Sequence, residues 1–475
     1  MKTSKNQHLS FWAVLIFIWR SIKEWWSLPF LLTFIPHFKP VVVLILGCIA
    51  IILWGFARYL AFTFNLTADR LDVHSGILVR RHRHFPANQI QTLNADQQFW
   101  MRPLHIMSVT VETAGHGPEA KAKLPAVNQK TWHDLKTLKY AASADASSAA
   151  KPDQPVYHLS SHDLLVFSAS SLGIWAILAG IYTVFNRVTD VLPRRTVDRA
   201  FSAIHSVFLW VGLAVFIVLL GFLISFLLIW QRYYGFQLTR DKQLLHAKSG
   251  LFNLSHFSLP VRRIQAVIMR ANIVRQFLKL VTVEAVIATN AAKDEDDKNS
   301  TLIPVVRASQ AVKIVHEFLP EYPDQAPQLN RLTARGRFSL INITFWRWLI
   351  VSLPLAACSS GMIFYFKLAW PFYLVSAILL FWPLAYGRFK ANHTGYAVSG
   401  DFLVASYVRL FNVQLALFPK EKIQAISLDQ SIFMSSNNLN HVEVSLRKGT
   451  SEYECRLPYL PAKDAQKING WYHQQ

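Results

Sequence analysis

Phe85-Pro86-Ala87-Asn88-Gln89-Ile90-Gln91-Thr92-Leu93 recurs twice further along the chain. The second copy is Leu259-Pro260-Val261-Arg262-Arg263-Ile264-Gln265-Ala266-Val267, and the third is Phe418-Pro419-Lys420-Glu421-Lys422-Ile423-Gln424-Ala425-Ile426. Each reads as an apolar residue, Pro, three variable residues, Ile-Gln, a small residue and an aliphatic one. A register held three times in one chain is an internal repeat, so three copies of one module organise the protein.

Composition sets the environment. The 475 residues suit about three domains of roughly 150 residues. Mean hydropathy is positive, and 15 Trp and 33 Phe make the chain more apolar than an ordinary soluble protein. Lys+Arg total 49 against Asp+Glu 28, a net charge of +21. In an apolar chain such an excess points to anionic lipid and cytoplasmic loops rather than to nucleic acid. Nucleic-acid binding would need aromatic and basic residues interleaved on one surface; here the aromatics belong to apolar runs. Cys48, Cys358 and Cys455 fit neither a disulfide framework nor a zinc site. Met1 to Ser10 lead into an apolar run without a small-residue cleavage site, so no removed signal peptide is expected.

Six spans in three hairpins are expected. Leu9 to Trp19 is too short to cross about 30 Å of hydrocarbon and fits the interface; Trp25-Trp26 to Ile35 continues it, and Val41 to Phe64 spans. Leu164 to Phe185 pairs with Val207 to Trp230, and Leu349 to Phe366 with Trp370 to Tyr386. Each hairpin delivers the chain to one repeat, which places all modules on one face. Arg70, Arg80, Arg81, Arg83, Arg232, Arg240, Lys242, Arg388 and Lys390 follow the hairpins, so that face is the cytoplasm of a multi-pass plasma-membrane protein. Arg187, Arg194, Arg195 and Arg199, in a connection this topology puts outside, argue the other way. The expected division is an interfacial and transmembrane hairpin (1–62), module 1 (63–140), a linker (141–160), hairpin 2 (161–231) and module 2 (232–320). A linker (321–340), hairpin 3 (341–390) and module 3 (391–475) follow.

Inside a module, short strands alternate with turns. Gly235 to Thr239, Leu244 to Ala247, Ile264 to Ile268, Val281 to Val286 and Leu302 to Val306 read as strands, and Ala308 to Leu319 as a closing helix. Val111-Glu112 and Val442-Glu443 match Val283-Glu284; Leu124-Pro125 and Leu457-Pro458 match Ile303-Pro304. Six or seven strands closed by one helix make a small barrel, whose closure removes sheet edges. The expected fold class is therefore an α+β membrane protein with three such barrels.

The order Leu-Thr, Ser-Gly, Pro-x-x-x-Ile-Gln, Val-Glu and a closing Leu/Ile-Pro strand resembles the bacterial pleckstrin-homology domain of the second type (bPH2, DUF304). Three such domains between helix pairs are similar to the YdbT-type membrane proteins of Gram-positive bacteria. Arg409 departs from that pattern, standing where Gly76 and Gly250 stand in the other copies, so the third turn must differ. The resemblance implies PH-like binding platforms, a scaffold for protein or lipid at the inner face of the membrane. It also implies a smaller membrane partner with one PH-like domain, and a role in envelope stress or defence against membrane-active peptides.

Catalytic chemistry finds no foothold: no phosphate loop, no His-Glu-x-x-His, no paired cysteines and no nucleophile elbow. The expectation is a non-enzyme without cofactor, metal or catalytic residues. Arg80-Arg81-His82-Arg83-His84 reads as a metal or phosphate site, or as a solvated basic strand that needs no further ligands. Arg80, Arg81, Arg83, Arg262, Arg263, Lys420 and Lys422 are the candidate contacts to anionic lipid headgroups, set against a plainly solvated role. Pro86, Ile90, Gln91, Pro260, Ile264, Gln265, Pro419, Ile423 and Gln424 form the repeat motif. Its Gln amides serve either a strand irregularity or a partner. A transporter or export component is the rival class, and its mark would be ionisable residues in mid-span.

Overall fold

The computed structural model describes residues 7–28, 40–113, 121–142, 155–171, 173, 177–183, 187, 207–241, 243–288, 301–366, 369–448 and 451–474. Each module contributes seven described strands. Module 1 has β1 (Gln7–His8), β2 (Thr63–Leu66), β3 (Arg70–Ser75), β4 (Arg81–Pro86), β5 (Ile90–Gln97), β6 (Ile106–Thr113) and β7 (Lys121–Asn128). Module 2 has β8 (Val156–His158), β9 (Gln237–Asp241), β10 (Leu244–Ser249), β11 (Leu254–Pro260), β12 (Ile264–Ala271), β13 (Leu280–Ile287) and β14 (Thr301–Arg307). Module 3 has β15 (Asn330–Arg331), β16 (Gly395–Ser399), β17 (Phe402–Arg409), β18 (Asn412–Pro419), β19 (Ile423–Asp429), β20 (Leu439–Lys448) and β21 (Ser451–Pro461). A helix follows each set: α1 (Gln129–Ala142), α2 (Ala311–Phe318) and α3 (Ala462–His473).

The repeat motif marks where the chain changes sheets. Pro86, Pro260 and Pro419 end β4, β11 and β18, and Pro has no amide with which to continue a ladder. One 3-10 turn follows, at Ala87–Gln89, Val261–Arg263 and Lys420–Lys422. Ile90, Ile264 and Ile423 then enter the core. The register slips across the next residue in all three copies, so Gln91, Gln265 and Gln424 sit at a β-bulge.

The strand orders depart from closed barrels. The three strands after the motif in one module pair edge to edge with the four before it in the next. One seven-stranded sheet runs β7-β6-β5-β11-β10-β9-β8, and another runs β14-β13-β12-β18-β17-β16-β15. That leaves a four-stranded sheet β1-β2-β3-β4 and a three-stranded sheet β19-β20-β21. The expected three closed barrels are therefore corrected to open sheets shared between modules. The physical need is the same, because covering the edge of β5 with β11 removes it as well as closure would. The chain forms two compact units, Met1–Ser161 with Leu228–Val261, and His162–Leu227 with Arg262–Gln475. Each unit holds one seven-stranded sheet.

Cores follow the sharing. In the first unit Leu71 and Phe85 of the four-stranded sheet, Leu93, Val109 and Leu124 of the seven-stranded sheet and Leu135 of α1 form one buried cluster. In the second, Leu403, Ala405 and Phe418 pack with Val442, Val444 and Leu457, with Ala465 and Ile468 of α3, and with Ala266 and Ile268 of the preceding module.

The turns vary as the third copy foretold. Gly76 (φ 101°) and Gly250 (φ 116°) take conformations that side chains rarely adopt, whereas the third turn is tighter. There Arg409 pairs with Asn412, and Leu410 takes the positive φ of 54°. A Cβ on Gly250 would lie 1.9 Å from the Asn253 carbonyl oxygen. Gly250→Val should therefore cost about 2–3 kcal/mol, read as a lower melting midpoint of the detergent-dispersed chain. An unchanged midpoint would contradict the turn.

Among the described residues three helical stretches, not six, are long and apolar enough to cross a membrane: Val41–Leu60, Val215–Tyr233 and Ala334–Ala357. The N-terminal helix Ala13–Trp25 has 13 residues, short of the roughly 20 a span needs. The expected span Leu164 to Phe185 is described at residues 164–171, 173 and 177–183, where the helix Ser161–Ala169 has 9 residues. The helix Ala369–His393 holds Pro383 and ends in Arg388 and Lys390. Helices pair closely through small residues: a Cβ on Gly55 would lie 2.7 Å from Ile18 Cα, and one on Gly387 3.1 Å from Ile341 Cα.

Candidate functional site

Sharing a sheet creates a cavity that no single module contains. α1 lies over the seven-stranded sheet of the first unit and encloses about 370 Å³ with it. Trp132, Lys136 and Lys139 line it from α1, His246 and Lys248 from β10, and His256 and Ser258 from β11. The helix residues fall at i, i+4 and i+7, one stripe of α1. Lys136 Nζ stands 4.9 Å from the Trp132 ring centroid. Lys139 is buried, and His246 Nδ1 lies 2.9 Å from Ser258 Oγ.

The electrostatics are those of a partly desolvated positive site, with Lys139 buried and Lys136 and Lys248 exposed. Burial pushes Lys139 down to about 8. Burial, and after it the Lys139 ammonium, pushes His246 down to about 4, against an opposing pull from Asp241. His256 goes to about 4 through burial and then Lys248, with Asp96 opposing. Lys136 is lowered by burial and then by Lys248. At neutral pH both imidazoles are neutral and the ammonium groups supply the charge. Such a site favours a compact anion, which neutral imidazoles and Ser258 can also hydrogen-bond.

The residues singled out from sequence lie elsewhere, in three separate places. Arg81 and Arg83 lie on β4, with Arg80 just before it. Arg83 Nη1 donates to the Lys121 carbonyl at 3.0 Å, and His84 Nδ1 lies 2.6 Å from Asp72 Oδ1. Arg70 Nε also reaches Asp72, at 3.2 Å. His82 pairs with His74. Among the described residues no group of three or more His, Cys, Asp or Glu could hold a metal. Arg262 and Arg263 sit in the second motif turn. In the third, Lys420 Nζ bonds the Gln474 carbonyl and faces the Trp471 ring at 5.5 Å, while Lys422 pairs with Glu421 at 2.9 Å. Arg80 and Arg81 thus stand at the start of β4, whereas Arg262, Arg263, Lys420 and Lys422 occupy motif turns, beyond the opposite end of the equivalent strands. Of the motif glutamines, Gln265 Nε2 donates weakly to the Arg263 carbonyl at 3.4 Å, and Gln424 is exposed. Lys136, Lys139, His246 and His256 escaped the sequence reading. A cationic stripe beside Trp132 and Leu135 was the one available signal.

A sequence profile described as bacterial PH domain matches residues 28–142, 202–321 and 349–475. The chain is also similar to the UPF0699 transmembrane protein YdbT of Bacillus subtilis (strain 168), with 24% identity over 440 residues, 87% of this chain and 85% of that relative. No solved structure matches. Three matched modules, apolar helices long enough to cross a bilayer and likeness to a transmembrane relative lead to one assignment: the chain is a membrane protein that belongs to the bacterial PH domain family.

Proposed function

We propose that this chain is a multi-pass, non-enzymatic binding platform of the plasma membrane, with its PH-like modules on the cytoplasmic side. The basic cavity is its recognition site, and its ligand class is a phosphate-bearing anion. The supporting observation is the convergence of Lys136, Lys139, Lys248, His246 and His256 on one 370 Å³ space. The arginines Arg80, Arg81, Arg83, Arg262 and Arg263, with Lys420 and Lys422, then act as general attraction to an anionic leaflet. A smaller membrane protein with one PH-like domain is the partner proposed for the platform, and envelope stress or defence against membrane-active peptides its setting.

The test uses the full chain in nanodiscs. Binding is measured to inorganic phosphate and, separately, to vesicles of phosphatidylcholine with and without phosphatidylglycerol. Saturable binding to either anion is expected, and which arm responds tells a free anion from a headgroup. Lys136→Glu with Lys139→Glu should weaken it at least about tenfold, about 1.4 kcal/mol. Lys139 loses its proton as pH rises through about 8, so affinity should be lower at pH 9 than at pH 7.5. Equal affinity of wild type and double variant would refute the site.

A further inference from the structure

The two junctions between modules obey one register. In the first unit Leu254 pairs with Gln97, Ser255 with Asp96 and His256 with Ala95. In the second, Val413 pairs with Ala271, Gln414 with Arg270 and Leu415 with Met269. Leu254 and Val413 both stand six residues before the motif Pro, at Pro260 and Pro419. Gln97 and Ala271 both stand seven after the motif Ile, at Ile90 and Ile264. The turns add a second contact. Phe99 N donates to Asn253 Oδ1 at 3.3 Å, and Gln276 Nε2 donates to the Phe411 carbonyl at 3.1 Å. Each time, the turn after the joining strand meets the β-turn of the next module.

Both halves of this junction recur at the chain's ends without a mate among the described strands. β4 pairs only with β3, and β19 only with β20. Their residues show it. Gln424, Ala425, Ser427 and Asp429 of β19 are exposed, whereas Ala266, Val267, Ile268 and Met269 of β12 are buried. On β4, Arg81, His82 and His84 are exposed. An open edge presents backbone donors and acceptors to another strand.

We propose that a second copy of this chain fills the junction, head to tail, the β4 edge of one copy pairing with the β19 edge of the next. The shared register sets Arg81, five before Pro86, opposite Asp429, six after Ile423. The first junction already joins those two positions, with Ser255 Oγ donating to Asp96 Oδ1 at 2.7 Å. Arg81 and Asp429 are opposite in charge, and Asp429 is engaged only loosely by Arg456 at 3.8 Å. The turns match too. Leu78 (84% exposed) and Val79 (68%) crown the β3–β4 turn, and Ile432 (88%) and Phe433 (85%) crown the turn after β19. The junction rule brings these two apolar tips together. Because the contact joins unlike surfaces, it builds a ring or a chain of copies rather than a twofold dimer.

The test co-expresses two differently tagged full-length copies in membranes, one Arg81→Cys and the other Asp429→Cys. After the isolated membranes are treated with a mild thiol oxidant, an inter-copy disulfide is expected in the mixture, and none when either variant is expressed alone, which controls for native cysteines. A second arm changes exposed side chains that folding does not need. Ile432→Asp with Phe433→Asp should lower co-purification of the two tags at least about tenfold. Absence of the mixed disulfide, capture of a different protein at either cysteine, or undiminished co-purification of the double variant would each overturn the proposal.

Discussion

Ala266→Glu will lower the melting midpoint of the detergent-dispersed chain by at least about 8 °C, and Ala425→Glu will leave it within about 2 °C. The two alanines hold the same place in the repeat, two residues after the motif Ile, on the same side of the same bulge. Only their neighbours differ. Ala266 is fully buried among Leu403, Ala405 and Phe418, core residues of the module that follows. Among the described strands β19 pairs only with β20, and Ala425 faces solvent. A carboxylate forced into the first place has no partner and costs several kcal/mol, about 3 or more. In the second it stays hydrated. Equal destabilisation by both changes would mean that each module buries this position by itself.

Acid will destabilise the protein through the cavity. His246 has a folded pKa of about 4 against an ordinary value near 6.5. The unfolded chain therefore binds the extra proton between those values, and stability present above pH 6.5 is lost as the pH falls toward 4. For this part-buried ring the loss is on the order of 2 kcal/mol. His256 adds a smaller part in the same direction, discounted for its solvent contact. The groups facing them are Lys136, Lys139, Lys248, Asp241 and Asp96. His246→Gln keeps a hydrogen-bonding side chain beside Ser258 and removes the titration. Thermal unfolding from pH 7 to pH 4.5 should then fall less steeply for the variant than for the wild type. Parallel curves would place the acid sensitivity elsewhere.

Much of the fold is legible in residue order because its signals are local. Pro86, Pro260 and Pro419 mark strand ends, Gln91, Gln265 and Gln424 mark the bulges, and Gly76 and Gly250 mark turns that Arg409 cannot make. Those cues say where a strand begins, not which edge it meets. Ala95 and Asp96 find their neighbours at His256 and Ser255, about 160 positions away, as the spacing of 159 between Asp96 and Ser255 shows. A repeated sequence suits closure within a module and pairing with the next copy equally well, and the barrel expectation took the first. The cavity was hidden for the same reason. Trp132, Lys136 and Lys139 come from one module and His246, Lys248 and His256 from another, and only the shared sheet brings them together. The count of three spans is that of the described residues: Ala13–Trp25 is too short to cross, and the expected span Leu164 to Phe185 is described only in part.

Everything rests on modules joined edge to edge, and one cross-link addresses that. Asp96 and Ser255 lie opposite each other across β5 and β11, with side chains already in contact. Cysteines at such paired positions fall within disulfide reach. The full chain carrying Asp96→Cys and Ser255→Cys should oxidise to a disulfide that keeps the mobility of a single chain and is absent from either single variant. Modules closed on themselves would hold these positions apart, and two free thiols after oxidation would contradict the shared sheet.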